Sequence, residues 1–444
     1  MKIVIAGAGE VGTHLARMLS QEDHEIVLLD DSPENLSAIN NKADVLTVTG
    51  SAHSFKDLKE TGLSKADLFI AVTPYEERNL LACSMASYLG VKRTIARINN
   101  SEFLQETYKT KLNNMGINEL IYPESLAAKE IIASLKQTTT RQIIEFSNGK
   151  LILLGIKVRD NAAVLNKKLA EIYKEKEDIR VLAINRDSIT FIPDEAQQII
   201  NGDIVFFITT PGNQQYVLDT TGKKSFAIKN IMFLGGSRIA QKTIEKLGPH
   251  YNIRVIEIDK KRCELLANKF RDILIINGDG RDLNLLKEEG IERMDAFIAT
   301  TGNSETNILC CQMAKTLGIR RSVAEVENLD FINMSENMDV GFIINKKLIA
   351  ASYIYRFTLN AEISKVKCLT VTDAEVFEFI AKPNARIVQK TIGETGFPSE
   401  AVIGGIIRGN VGHVATNDTL IKEGDKVVVF TLPSGVRKIE NYFK

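Results

Sequence analysis

The 444-residue sequence predicts an α/β protein: two doubly wound parallel-sheet domains in tandem, each followed by a small α+β lobe. Three observations carry that expectation. Short β-branched apolar runs alternate with helical stretches through residues 1–136, the grammar of a parallel sheet with right-handed crossovers. Between 138 and 221 the pattern changes to several short strands around one short helix. The whole arrangement then repeats over 229–357 and 360–444.

Residues 2–6 (Lys-Ile-Val-Ile-Ala) form the apolar run of a strand buried on both faces. Gly7-Ala8-Gly9-Glu10-Val11-Gly12 follows at once, and 13–19 reads as helix. Gly7 permits a tight turn, Gly9 lets a backbone approach a pyrophosphate, and Gly12 lets the helix lie close on the sheet. The N–H groups opening that helix, with the positive end of its dipole, make an anion site. A second strand, 25–29, ends at Asp30, where a carboxylate would accept hydrogen bonds from an adenosine ribose. Together these spacings predict a Rossmann-like site for an adenine dinucleotide. Strands are expected next at 44–49, 66–73, 94–97 and 121–122, with helices at 55–62 and at 76–89, the latter stopped by Gly90. Pro123 opens an amphipathic helix to about 136. In the small lobe, strands are expected at 141–146, 151–158, 180–184, 189–192 and 203–208, with a helix at 167–173. The polar run 220–225 reads as a linker.

The repeat carries more weight than any single motif. At one constant offset Gly7 recurs as Gly235, Gly50 as Gly278, Asp67 as Asp295, Asn79 as Asn307 and Gly90 as Gly318. Asp30 is matched to Asp259 by a slip of one residue. In the small lobes Arg186 recurs as Arg408, Asp203 as Asp425 and Pro211 as Pro433, at a shorter offset that sets in between Phe331 and Leu348. A register held over such lengths is a tandem duplication of a two-domain unit.

Composition excludes several classes. Lys+Arg of 56 equals Asp+Glu of 56, so no net field draws the chain to nucleic acid or to an anionic membrane. No run approaches the ~18 apolar residues of a membrane-spanning helix. Lys2 followed at once by a strand leaves no room for a secretory signal, which makes a cytosolic protein the expectation. Cys83, Cys263, Cys310, Cys311 and Cys368 form no CxxC pair, and reduced buried thiols are expected rather than a metal or disulfide site.

Gly7 to Gly12, Ala66-Asp67 leading to Ala71-Val72-Thr73, Glu77-Arg78-Asn79 and Ile95-Ala96-Arg97 closely resemble the N-lobe of domains that regulate conductance of K+ (RCK or KTN domains). The small lobe, with Ala183-Ile184-Asn185-Arg186 and Gly202-Asp203, resembles the matching C-terminal lobe. Two such pairs in one chain resemble the peripheral subunits of Trk-type potassium uptake systems. That resemblance implies a cytoplasmic homotetramer, peripheral on the inner face of the cell membrane, docked on an integral-membrane K+-translocating subunit. It also implies NAD+/NADH, and ATP or ADP, bound as regulators rather than reactants, and so no enzyme. By position, the family's nucleotide contacts fall on Gly7, Ala8, Gly9, Glu10, Val11, Gly12, Asp30, Thr73, Pro74 and Arg97, with Arg97 as a phosphate partner. In the second copy they fall on Gly235, Gly236, Ser237, Arg238, Ile239, Asp259, Asp279 and Thr301. There Ser237 replaces the second glycine, Ala240 the third, and Glu325 stands where the first copy has Arg97, so phosphate binding is expected to be weaker.

Two other readings stay open at this stage. An NAD-dependent oxidoreductase would need an acid/base facing the nicotinamide, and only His53 is placed for that. A regulator of a different K+ transporter or exchanger would share every motif above. The helices at 123–136 and 347–357 carry apolar faces that either pack lobes together or cover their own sheets.

Overall fold

The computed structural model describes residues 1–20, 24–40, 43–359, 363–369, 372 and 374–444. Two compact units result: Met1–Leu126 with Lys346–Thr358, and Ala127–Asn345 with Leu359–Lys444.

The first unit begins with β1 (Lys2–Ala6), α1 (Glu10–Ser20), β2 (Glu25–Asp30), α2 (Pro33–Asn40), β3 (Leu46–Thr49) and α3 (Phe55–Glu60). It continues with β4 (Leu68–Ala71), α4 (Glu76–Tyr88), β5 (Arg93–Arg97), α5 (Glu106–Asn114) and β6 (Glu119–Ile121), and α6 (Pro123–Lys136) starts here. The six strands form one parallel sheet in the order β3-β2-β1-β4-β5-β6. Ile3, Val4 and Ile5 of the central strand are wholly buried, as a strand covered on both faces requires. Strand order reverses between β1 and β4, and the loops leaving the carboxyl ends of these two strands open a crevice there, the place where such sheets hold ligands.

The second unit holds three sheets. β7 (Gln142–Phe146), β8 (Leu151–Lys157), α7 (Leu169–Glu175), β9 (Ile179–Arg186), β10 (Ile189–Phe191), β11 (Ile204–Thr209) and α8 (Gln214–Thr220) make the first small lobe. The duplicated large lobe follows with β12 (Asn230–Leu234), α9 (Arg238–Leu247), β13 (Asn252–Glu257), α10 (Lys260–Lys269), β14 (Leu274–Asn277) and α11 (Leu283–Glu288). It ends with β15 (Ala296–Ala299), α12 (Ser304–Thr316), β16 (Arg321–Glu325), α13 (Asp330–Asn337) and β17 (Phe342–Ile344). Its parallel order, β14-β13-β12-β15-β16-β17, restates the first sheet. α14 (Lys346–Tyr355) comes next, and then the last lobe: β18 (Ile363–Cys368), β19 (Glu375–Ile380), β20 (Ala401–Arg408), β21 (Val411–Val414), β22 (Lys426–Thr431) and α15 (Val436–Phe443). The two antiparallel sheets, β10-β9-β11-β8-β7 and β18-β19-β22-β20-β21, have one topology. The expected boundary at 360 lies outside the described residues.

α14 does not cover the sheet that precedes it in sequence. Its residues belong to the first unit, where it packs on α1. Lys347 Nζ lies 3.5 Å from Glu10 Oε1, and Ala350, Ala351, Ile354 and Tyr355 are buried. The small lobes share a core: Phe146, Leu153, Phe206 and Ile208 of the first pack with Val376, Val428 and Phe430 of the second. The Phe206 and Phe430 rings lie 5.8 Å apart. Each lobe also carries a two-pronged ion pair. Arg186 donates through Nε and Nη2 to Asp203 at 2.8 Å each, and Arg408 does the same to Asp425 at 2.9 and 2.7 Å. Two of the matches that made the small-lobe repeat readable, the arginine and the aspartate, are therefore the two halves of one clamp between strand ends.

The five cysteines are free and buried. Burial pushes the thiols of Cys83 and Cys311 far up and that of Cys310 to about 11. Among the described residues no helix is long and apolar enough to cross a membrane, and no group of three or more His, Cys, Asp or Glu is placed to hold a metal ion.

Candidate functional site

In the first lobe the glycine-rich turn joins β1 to α1. Gly7 sits at φ +107°, where a side chain would be strained, and its backbone passes close to Val72 and Thr73 at the end of β4. A Cβ on Gly12 would lie 1.8 Å from the Gly7 carbonyl oxygen, so α1 can start only with glycine there. Gly9 meets nothing within 4 Å, which leaves its face open to a ligand.

Asp30 ends β2 and organises this turn. Its Oδ2 accepts from Ala8 N at 2.5 Å; its Oδ1 accepts from Ser32 N at 2.9 Å and from Asn35 Nδ2 at 3.1 Å. A carboxylate has roughly four lone-pair positions, so one remains for a ribose hydroxyl. On the other side of the crevice Asn79, 1% exposed, holds the loop after β4. Its Oδ1 accepts from Thr73 N (3.0 Å) and Thr73 Oγ1 (2.7 Å), and its Nδ2 donates to the carbonyls of Thr73 (3.0 Å) and Arg97 (2.9 Å). Arg97, at the end of β5, donates Nη2 to Glu124 Oε1 at 2.9 Å, while its Nε has no hydrogen-bond partner. Glu124 opens α6, so this cation is shared between the crevice and the next helix.

The second lobe rebuilds the framework with different chemistry. Gly235 has φ +89°, and Asn307 holds Thr301 N (3.0 Å) and Oγ1 (2.6 Å) while donating to the Glu325 carbonyl (2.8 Å). The strand-end acid is Glu257, not Asp259. Asp30 pairs with Thr49 as the last rung between β2 and β3, and Glu257 pairs with Asn277 as the last rung between β13 and β14. Gly50 N donates to the Asp30 carbonyl and Gly278 N to the Glu257 carbonyl. Glu257 Oε2 accepts from Gly236 N at 2.8 Å, as Asp30 does from Ala8 N. Asp259 instead caps α10, accepting from Arg262 N at 3.1 Å. The one-residue slip in the sequence match came from sliding past this acid to the next.

A cavity of about 260 Å3 lies in that crevice, lined among others by Gly235, Ser237, Glu257, Asp279, Arg281 and Thr301. Ser237 caps α9 by accepting from Ala240 N at 3.3 Å. Asp279 is held below the usual carboxylate range by the Arg281 guanidinium, which grips it at 2.7–3.1 Å. Arg262 Nη1 lies 3.6 Å from Glu257 Oε2. Gly236, Arg238, Ile239 and Asp259 do not line the cavity, and Ile239 is buried in the core. Glu325, expected to repel phosphate, is buried and is not among the lining residues. The sequence reading missed Glu257 and Arg281, and the end of the run Asn252–Glu257 was the signal for the first of them. Lys260-Lys261-Arg262 reads in the sequence as a solvated helix start able to help hold a polyphosphate, and of the three only Arg262 lines the cavity.

Burial lowers His14 to about 4, which keeps it neutral, and His53 is engaged by Ser51 Oγ at 2.8 Å.

Residues 3–123 and 231–346 match the TrkA-N domain, and residues 153–221 and 376–444 match the TrkA-C domain. The Trk system potassium uptake protein TrkA of Haemophilus influenzae is 31% identical over 452 aligned residues, spanning 100% of this chain and 99% of that protein. The chain belongs to the TrkA family. Among solved structures, the crystal structure of the GsuK RCK domain superposes with a TM-score of 0.61 at 16% identity, covering 100% of this chain and 94% of that one. The GsuK channel bound to NAD does so with a TM-score of 0.61 at 16% identity, covering 100% and 78%. Both likenesses are of fold: tandem TrkA-N sheets, each followed by a TrkA-C lobe, are the architecture described above.

Proposed function

We propose that this TrkA-family chain is the regulatory subunit of a Trk-type potassium uptake system. It lies in the cytoplasm at the inner face of the membrane and sets the activity of a separate integral-membrane K+-translocating subunit. The observation that best supports this reading is the duplicated crevice, built twice with the same asparagine-held loop but followed each time by a lobe too small to be a substrate domain. Along the sequence the lobes are assigned as 1–136, 138–221, 229–357 and 360–444, with α14 of the third segment packed on the first lobe.

NAD+ or NADH is the ligand of the first crevice. The N–H groups opening α1 beside the unobstructed Gly9 receive the pyrophosphate, the Asp30 carboxylate takes a ribose hydroxyl, and Thr73, Pro74 and Arg97 close the site. The second crevice, with Gly235, Ser237, Glu257, Asp279, Arg281 and Thr301, takes a mononucleotide such as ADP or ATP, or stays empty. The ligands act as regulators rather than as reactants. A homotetrameric ring transmits the effect. A near-complete switch needs ~5.5 kcal/mol of differential affinity, which several sites on one ring can supply together. The test is reconstitution of both proteins in liposomes, with K+ flux measured with NADH, ATP or ADP and without ligand. Flux that ignores all three while binding is confirmed would overturn the reading.

A further inference from the structure

Away from both crevices, a recess of about 210 Å3 lies within the second unit, between the first small lobe and the second large lobe. The small lobe contributes Arg141, Lys157 and Arg159, and Lys223 comes from the segment after it. The large lobe adds Lys315, Arg320 and Arg321. Against these cations stands a single acid among the lining residues, Asp339, which pairs with Arg141, Arg159 and Lys315 together. Arg320 also lies 3.9 Å from Asp295 outside the lining, but the residues around the recess still carry an excess of positive charge in a confined place.

Arg321 is the strongest sign that this recess is built for something. It is 5% exposed, and its Nη1 donates to the carbonyls of Thr138 (3.3 Å) and Thr140 (3.0 Å). Its Nε and Nη2 find no acceptor, and neither does the hydroxyl of Thr139 beside it. A buried guanidinium with two orphaned donors is costly unless an anion completes it. The cations also crowd one another. Burial, followed by repulsion from Arg159, Arg141 and Lys157, lowers Lys223 to about 8, and burial with Arg141 and Arg159 does the same to Lys315. The duplicated counterpart makes the same kind of bond at the surface: Arg93, which matches Arg321, is exposed and donates to the Phe357 carbonyl at 3.0 Å. Arg321 makes its carbonyl bonds in a buried place, where its two remaining donors are left orphaned.

We propose that this recess binds a di- or triphosphate group, with Arg321 and Lys223 as its principal contacts. Several adjacent cations around a small volume call for a compact, highly charged anion, and the guanidinium fork matches phosphate oxygens. Thr138, Thr139, Thr140 and Ser322 supply polar walls, and no large apolar side chain lines the recess to receive a base. The ligand is recognised by its phosphates alone, whether it is an inorganic polyphosphate or the tail of a nucleotide. This site is independent of the NAD reading, since it shares no residue with either crevice.

The experiment is equilibrium dialysis of inorganic tripolyphosphate against the full chain at constant ionic strength. The wild type, Lys223→Gln, Arg321→Lys and, as a control for the first crevice, Asp30→Ala would be compared. Affinity is expected to fall about tenfold or more in Arg321→Lys, which keeps charge but loses the fork, and in Lys223→Gln. It should be unchanged in Asp30→Ala. Competition by ATP in the Asp30→Ala chain assigns the nucleotide tail as the source, and failure of ATP to compete assigns the inorganic anion. Lys223 is only half-buried, so its variant folds and decides the matter if Arg321→Lys does not. No binding by the wild type, or binding equally tight in Lys223→Gln, overturns the proposal.

Discussion

The two large lobes share a backbone plan and differ in what they offer a ligand. Both bring a glycine at positive φ against the loop after the fourth strand, and both pin that loop with one buried asparagine. In the first lobe Gly9 is unobstructed, the short acid Asp30 holds the turn, and the Nε of Arg97 is buried without a hydrogen-bond partner. In the second, Ser237 is spent on capping its helix, the longer acid Glu257 lies beside Arg262, and Asp279 is gripped by Arg281. Duplication preserved the framework because it is a core problem of hydrogen bonds and close approach. The ligand-facing groups carry no such burden and have diverged.

The shared framework gives the largest expected effect. Asn79→Ala and Asn307→Ala each remove four hydrogen bonds and orphan buried carbonyls, at a cost of about 3 kcal/mol. Urea denaturation should show similar losses for the two variants. A gap well over ~1 kcal/mol between them would break the equivalence of the frameworks.

The diverged chemistry is sharpened by the strand-end acids. Asp30→Ala should lower NADH affinity tenfold or more, since hydrogen bonds to a charged acceptor are worth about 1.5–3 kcal/mol. Calorimetry on Glu257→Ala should leave that high-affinity NADH isotherm in place. If the Glu257 variant loses NADH and the Asp30 variant keeps it, the assignment of the tighter site is reversed.

The smallest effect concerns pH. The folded chain holds Lys223 at about 8 against an ordinary 10.5, so between these values the unfolded chain binds a proton that the folded chain does not. Stability attributable to this group therefore rises with pH across that window. Relative to Lys223→Met, the wild type should gain a few tenths of a kcal/mol between pH 8 and 10.5, a gain limited by solvent screening at a half-exposed side chain. Lys92→Met, at an exposed position of the first lobe, serves as the control. A flat difference between wild type and Lys223→Met would show that the recess does not strain its cations.

How legible these features were depended on whether a local pattern carried them. α6 matches the helix opened by Pro123, because its cap and apolar spacing lie within one window. α2 and α5 gave no such signal. Of the nine residues of α5 only Leu112 is buried, so its sequence has no apolar face to announce it. Glu257 was hidden by a neighbouring acid, since motif spacing tolerates a slip that a β-ladder does not.

By itself, the sequence determined the alternation of strand and helix, the glycine turn with its acid in the first lobe, and the duplication. These are carried by short-range periodicity and by residue types that only one backbone geometry accepts. Only the tertiary structure decided that α14 packs on the first lobe, because an apolar face says that it must be covered but not by what. It alone chose Glu257 over Asp259, since the choice rests on cross-strand register. It alone gathered Arg141, Lys223 and Arg321 into one recess. Charges scattered over so long a stretch cancel in the composition, and the fold brings the positive ones together while leaving a single acid among them.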